Sequence, residues 1–260
     1  MAIQSMSGKI LATSLVAAVT AGGAYAFMVQ RRISLADRSQ IIHTETIPES
    51  FAKSRSVSEI ANAGKHISMA DSISIPIQVP PQHRDVSDEV LLANFVKGFF
   101  GGAVLGPERT ALRTLGLDLV QLTKASTTTR TTIWSPKDLS DTQLLPTGYI
   151  LYGAFQNLGA QITPRSDSGD APSRTQSHVD FGFGNNQAQF AGVHRFAVVR
   201  EKDASTDQQT VQIHYQHMSC NPTVNKPIGP QWIFSFHKVY ADLLFREGVS
   251  EVKRWMNGSE

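Results

Sequence analysis

The densest run of groups able to move protons is His214-Tyr215-Gln216-His217. Two histidines three apart align as metal ligands on a helix, but on a strand they point to opposite faces, so this spacing argues against a metal site. The stretch from Val211 to Met218 reads as a strand, and with Val211 and Ile213 facing inward, Tyr215 and His217 face inward too. Such a pair can supply a hydrogen-bond donor for a carbonyl or enolate and a general base titrating near neutrality. The plainer alternative makes Tyr215 core and His217 a strand cap. On the preceding strand His194, Phe196, Val198 and Arg200 share one face and Val193, Arg195, Ala197 and Val199 the other, so which is inside stays open. Turned inward, Arg195 would bind a carboxylate through two parallel hydrogen bonds; turned outward, it is a solvated charge. Phe181, Phe183 and Phe196, with Phe99 and Phe100 earlier in the chain, form apolar stripes that either fill a core or wall a cavity. His178 and Asp180 alternate with Val179, Phe181 and Phe183 and are expected to meet solvent. His237 and Tyr240 share a side of a C-terminal helix, and Tyr240, four after Phe236, is the better candidate to line a cavity.

Several chemistries have no motif here. The chain has no Gly-x-Ser-x-Gly, no His-Glu-x-x-His and no phosphate loop, and Gln187 stands where Gly182-Phe183-Gly184 would need a third glycine to bind a dinucleotide. Cys220 is the single cysteine, which excludes an intrachain disulfide and a cysteine-built zinc site, and nothing around it marks it as a nucleophile. No metal and no cofactor is expected.

The elements that must position these groups follow from periodicity. Ser72 to Val79 alternates with period two, placing Ile73, Ile75, Ile77 and Val79 on one face of a strand whose Pro76 puts it at a sheet edge. A helix starts near Ser87, with Asp88 and Glu89 at the positive end of its dipole and Leu91, Leu92, Phe95, Val96, Phe99 and Phe100 on one broad face. Gly98, Gly101 and Gly102 weaken it by about 1 kcal/mol each relative to Ala, so close packing, a kink or a gate must favour them. Pro107 and Glu108 open a second short helix that ends near Gly116. Strand-like stretches follow at Thr127–Trp134, Tyr149–Phe155, around Val179–Phe183, at Val193–Arg200 and at Val211–Met218, with loops near 162–176 and 201–209. The chain closes on a long helix from Trp232, with Trp232, Phe236, Val239, Leu243 and Phe245 facing inward.

Of 260 residues, 41% are hydrophobic and 18% charged, the composition of a folded protein. Lys9, Arg31 and Arg32 precede the first acid, Asp37, and the remainder carries 21 bases against 22 acids. That balance excludes nucleic acid as a partner, because phosphate contacts need a basic excess. Ile10 to Val29 is free of charge and just long enough to span a bilayer. Residues 1–33 are therefore expected to be a membrane anchor, 34–66 a tether or surface strap, and 67–256 the folded domain. Arg31-Arg32 outweighs Lys9 as a positive flank, which places the domain on the cytoplasmic side, at the endoplasmic reticulum. Cleavage after Ala24-Tyr25-Ala26, giving a secreted protein, and a mitochondrial presequence are the alternatives.

Strand, two short helices, an antiparallel meander and a long terminal helix is the element order of the helix-grip superfamily, which includes START domains and plant pathogenesis-related allergens. Val193-His194-Arg195-Phe196, His217 and Cys220-Asn221-Pro222 also resemble a small uncharacterised family of it, over about residues 178–247. The whole chain is similar to N-terminally anchored proteins of fungal secondary-metabolite clusters. The resemblance implies an α+β fold whose antiparallel sheet wraps the long C-terminal helix and leaves room for an apolar ligand. The resulting expectation is a cofactor-free cyclising or tailoring enzyme for a polyketide- or terpenoid-like molecule. Tyr215 and His217 are then the catalytic candidates, and Phe99, Phe100, Phe181, Phe183, Arg195, Phe196 and Tyr240 the substrate-binding ones. A non-catalytic lipid carrier is the alternative, and a solid-cored membrane adaptor the third reading. No sequence feature names a protein partner.

Overall fold

The alternation at Ile73, Ile75 and Ile77 becomes strand β2 (Ser68–Gln78), with all three side chains buried. In the computed structural model, which describes residues 20–125, 130–164, 173–201 and 209–258, this strand pairs antiparallel along its whole length with the last strand, β8 (Thr210–Cys220). The others are β1 (Ile42–Thr44), β3 (Thr132–Ile133), β4 (Ile150–Leu151), β5 (Phe155–Gln161), β6 (Arg174–Asn185) and β7 (Phe190–Glu201). They form one eight-stranded sheet in the order β1-β2-β8-β7-β6-β5-β4-β3, antiparallel except for the short parallel pair β3–β4. The fold is α+β, as the element order implies. Pro76 costs no ladder bond, because β1 pairs only with Ser72–Ser74 and leaves β2 an edge beyond them.

Two of the expected strands are shorter than their composition suggests. Tyr149–Phe155 is a hairpin: Leu151 of β4 pairs with Phe155 of β5, and the three residues between them turn the chain with Tyr152 and Gly153 at positive φ (54° and 70°). Of Thr127–Trp134, Thr132–Ile133 is strand, and 126–129 lie outside the described residues. The expected loops near 162–176 and 201–209 fall partly on 165–172 and 202–208, also outside them.

Helix α3 (Asp88–Gly101) is capped by Ser87, whose hydroxyl accepts from Val90 N at 3.3 Å. Its glycines serve close packing. A Cβ on Gly98 would lie 2.6 Å from Glu251 Cβ and 2.8 Å from Gly248 Cα of the long helix α5 (Gln231–Met256), and one on Gly102 would strike the Glu247 carboxylate. After Gly102 the chain turns by 71° into α4 (Gly106–Leu115), which ends at Gly116 with φ 60°. On α5, Phe245, Val249 and Val252 are core, but Trp232, Phe236 and Val239, expected inward, are exposed by 70%, 69% and 63%. The inward stripe of those first turns is Phe234, His237, Ala241 and Leu244, half a turn away.

Residues 20–33 form helix α1, whose Arg32 pairs with Glu247 at 2.5 Å and reaches Glu251 at 3.7 Å. Glu247 also accepts from the backbone N–H of Ala103 (2.6 Å) and Val104 (2.7 Å), so one buried carboxylate ties α1, the α3–α4 corner and α5 together. Among the described residues no single helix is long and apolar enough to cross a membrane; residues 10–19 of the expected anchor lie outside them.

Residues 34–66, read as a tether or strap, are a strap with structure of its own. They contribute β1, a helical turn α2 (Glu49–Ala52) and a π-helix at Ser56–Ala61. Phe51, Val57 and Ile60 pack with Val193 and Met218 into a second core on the sheet face away from α5. That cover overturns one expectation: Asp180, placed in solvent by its alternation, is 3% exposed.

Candidate functional site

Between the first turns of α5 and the facing sheet is a cavity of about 600 Å³. Its walls are apolar, with Phe99 from α3, Phe155 and Phe183 from the sheet and Leu244 from α5, and it opens past Leu119 and Phe190, each about half exposed.

Its polar groups gather at one end, where β2, β8, β7 and α5 meet. Tyr215 Oη and His194 Nδ1 are 3.0 Å apart, and His217 Nδ1 lies 2.8 Å from Asp71 Oδ1. His237 Nε2 comes to 3.9 Å from the same Asp71 oxygen and has no hydrogen-bond partner. The imidazoles are close: ring centroids of His217 and His237 are 4.3 Å apart and those of His194 and His217 5.3 Å, with Phe183 stacked on His194 at 4.4 Å. Adjacent strands in register place them there, since His194 pairs with His217 and Asp71 also pairs with His217.

Burial sets the protonation of this end. Desolvation holds His194 well below the usual imidazole range, with the charges of His217 and His237 acting in the same direction. His237 is lowered to about 4, by desolvation first and by His217 second, against Asp71. The Tyr215 phenol is raised by burial and by Asp71. These directions leave Tyr215, His194 and His237 uncharged at neutral pH. Near the mouth, Tyr240 donates to Glu108 Oε2 at 2.9 Å, and burial, then Glu108, raises its phenol. Glu108, at the start of α4, thus also fixes a cavity-wall tyrosine.

The structure brings together Tyr215, His217, Phe99, Phe183 and Tyr240 of the expected site. It places the others elsewhere. Phe100, Phe181 and Phe196 are fully buried in an aromatic cluster, with Phe100–Phe181 centroids at 5.1 Å and Phe99–Phe196 at 4.8 Å, and do not reach the cavity. Arg195 is neither a substrate clamp nor a solvated charge. It sits on the opposite face, paired with Asp180 through Nε (2.7 Å) and Nη2 (2.8 Å), its guanidinium 4.7 Å from the centre of the Phe51 ring. His214 faces away from His217, as strand alternation requires. Cys220 is buried, its thiol pushed up to about 11 by desolvation, which leaves it unreactive.

Asp71, His194 and His237 were not among the expected site residues. Asp71 continues the odd-numbered face of Ile73, Ile75 and Ile77, so an acid at a core position was the signal; His194 shares a face with Phe196, and His237 a side with Tyr240. Asp71, His217 and His237 offer ligand atoms all within 4.8 Å of one another, a set able to hold a cation. Comparison of the chain with protein-family models, with curated proteins and with solved structures returns no match.

Proposed function

We propose that this protein encloses an apolar small molecule and converts it by proton transfer at the polar end of the cavity. The observation that carries the reading is the pairing of a largely apolar cavity of about 600 Å³ with a cluster of His194, Tyr215, His217 and His237 in its wall. The substrate class is a polyketide- or terpenoid-like molecule with a carbonyl or enol to hold, and the reaction class a cyclisation or isomerisation with no net redox change. His217 donates from Nδ1–H to Asp71, which fixes the tautomer and leaves a lone pair on Nε2 to accept a substrate proton. With His194 protonated on Nδ1 and donating to the Tyr215 oxygen, Tyr215 keeps its own O–H for the substrate oxygen. The proton taken by His217 is returned at another atom of the same molecule, so nothing is consumed. Apolar walls fold a flexible chain into a reactive conformer and exclude water.

The antiparallel β2-β8-β7-β6-β5 order and a long C-terminal helix are what the helix-grip reading rests on. For the membrane, the charge-free residues 10–29, with Trp232, Phe236 and Phe27 exposed, suit a domain seated at a bilayer, from which a greasy substrate partitions into the mouth. A solid-cored adaptor gains no support from a structure with this cavity.

Native mass spectrometry of the full chain, released from detergent, should detect a bound apolar molecule. Tyr215→Phe and His217→Ala should retain the guest and stop its conversion. Retention with unchanged effect in both variants identifies a carrier instead, and no guest in any preparation overturns the proposal.

A further inference from the structure

Proton transfer by His217 and Tyr215 leaves His237 without a task, although its Nε2 is buried, unpartnered and close to Asp71. Buried polar atoms are nearly always satisfied, so an orphan nitrogen beside a carboxylate asks for a partner. We infer that Asp71, His217 and His237 form a binding site for a divalent first-row transition-metal ion, with its remaining coordination positions open to the cavity.

Three observations meet. The donor set is two imidazoles and one carboxylate, the composition that first-row ions such as Fe²⁺, Co²⁺ and Zn²⁺ accept while leaving positions open for a substrate oxygen. The separations are near those of a ligand set. Bonds of about 2.0–2.2 Å from a common centre put ligand atoms roughly 3.0–3.5 Å apart; the two Asp71 contacts, 2.8 Å to His217 and 3.9 Å to His237, bracket that span, and all three ligand atoms lie within 4.8 Å of one another, so the set must close slightly on the ion. The donors also come from three separate elements, β2, β8 and α5, whose pairing and packing hold them without a loop. Helical spacing within β8 gave no site, because His214 and His217 diverge; the two missing ligands come from strands and helix distant in sequence.

An ion held here meets the polar group of an apolar guest from the cavity end and polarises its carbonyl oxygen as a Lewis acid. His217 is then a ligand, and proton exchange passes to the neighbouring His194–Tyr215 pair. The inference rests on the small-molecule reading for the ion's purpose, but not for its binding.

The test is a titration of the full-length protein in detergent with Co²⁺, read by its visible ligand-field absorption and by displacement with Zn²⁺. The expected result is one Co²⁺ per chain in the wild type. His237→Ala and Asp71→Ala should each lose affinity by more than the about 10–100-fold typical of losing an outer-shell partner. His214→Ala, on the other sheet face, should bind as the wild type does. Since Asp71 is buried, circular dichroism checks that its variant folds, and His237→Phe on the more accessible helix gives an independent loss. Absence of the cobalt band, or a band unchanged in the His237 variants, overturns the inference. Guest retention in the same preparations is read separately: a guest without cobalt sinks the metal site alone, and cobalt without a guest sinks the small-molecule reading alone.

Discussion

Replacing Asp180 by Asn is the sharpest probe of the sheet face away from α5. The change is nearly isosteric and leaves the Arg195 guanidinium without its counter-charge. Both side chains are shielded, 3% and 5% exposed for Arg195 and Asp180, although a cleft bounded by Ser54 and His178 adjoins them, so solvent screening is slight. Breaking a buried pair from one side costs about 3–5 kcal/mol. At ~2–4 °C per kcal/mol for a domain of this size, the Tm should fall by roughly 6–20 °C. Removing both charges with Asp180→Leu and Arg195→Met should return stability to within about 1 kcal/mol of the wild type, because the desolvation cost disappears with the attraction. Urea unfolding of Asp180→Leu, Arg195→Met and the double variant forms a mutant cycle that reads the coupling directly. Guest binding should be unaffected in the double variant, since Arg195 lies on the other sheet face and does not line the cavity beside α5. A loss under about 1 kcal/mol in Asp180→Asn, or a double variant as unstable as the worse single, refutes the reasoning.

Two further outcomes are expected. His214 is lowered to about 4 by desolvation, so the unfolded chain binds a proton that the folded one refuses between about pH 6.5 and 4. Stability should therefore fall as pH drops through that window, and His214→Gln should flatten the slope of urea midpoint against pH. Gly98→Ala should destabilise by about 1–3 kcal/mol through overpacking against α5, despite alanine's higher helix propensity, and a thermal melt checks the sign.

How much was legible depended on whether local pattern decides the outcome. Ser87 as a cap, Pro107 and Gly116 as helix limits, and the odd-numbered face of β2 follow from neighbours in the chain, and the structure has them. The inward direction of Tyr215 and His217 followed from Val211 and Ile213 by alternation alone. What failed needed knowledge of the far side. Asp180 and Arg195 are buried because residues 49–61 cross over them, and nothing in the strands announces that cover. Trp232, Phe236 and Val239 have the spacing of a core stripe and are exposed, because the sheet meets the neighbouring stripe of α5. The histidine cluster needed register: His194, His217 and Asp71 become adjacent only through the β2–β8–β7 pairing, and a polar residue on an apolar face was its sole trace.

The pairing of β2 with β8 carries a cost during synthesis. The strand made first among the long ones finds its full-length partner more than a hundred residues later, with Gln78 opposite Thr210. At ribosomal speeds of ~5–20 residues per second, the Ile73-Ile75-Ile77 edge waits on the order of ten seconds before it can zip shut. Until then β1 can cover only Ser72–Ser74 of that edge and the rest stays unpaired, so expression at low temperature and low induction should raise the soluble yield.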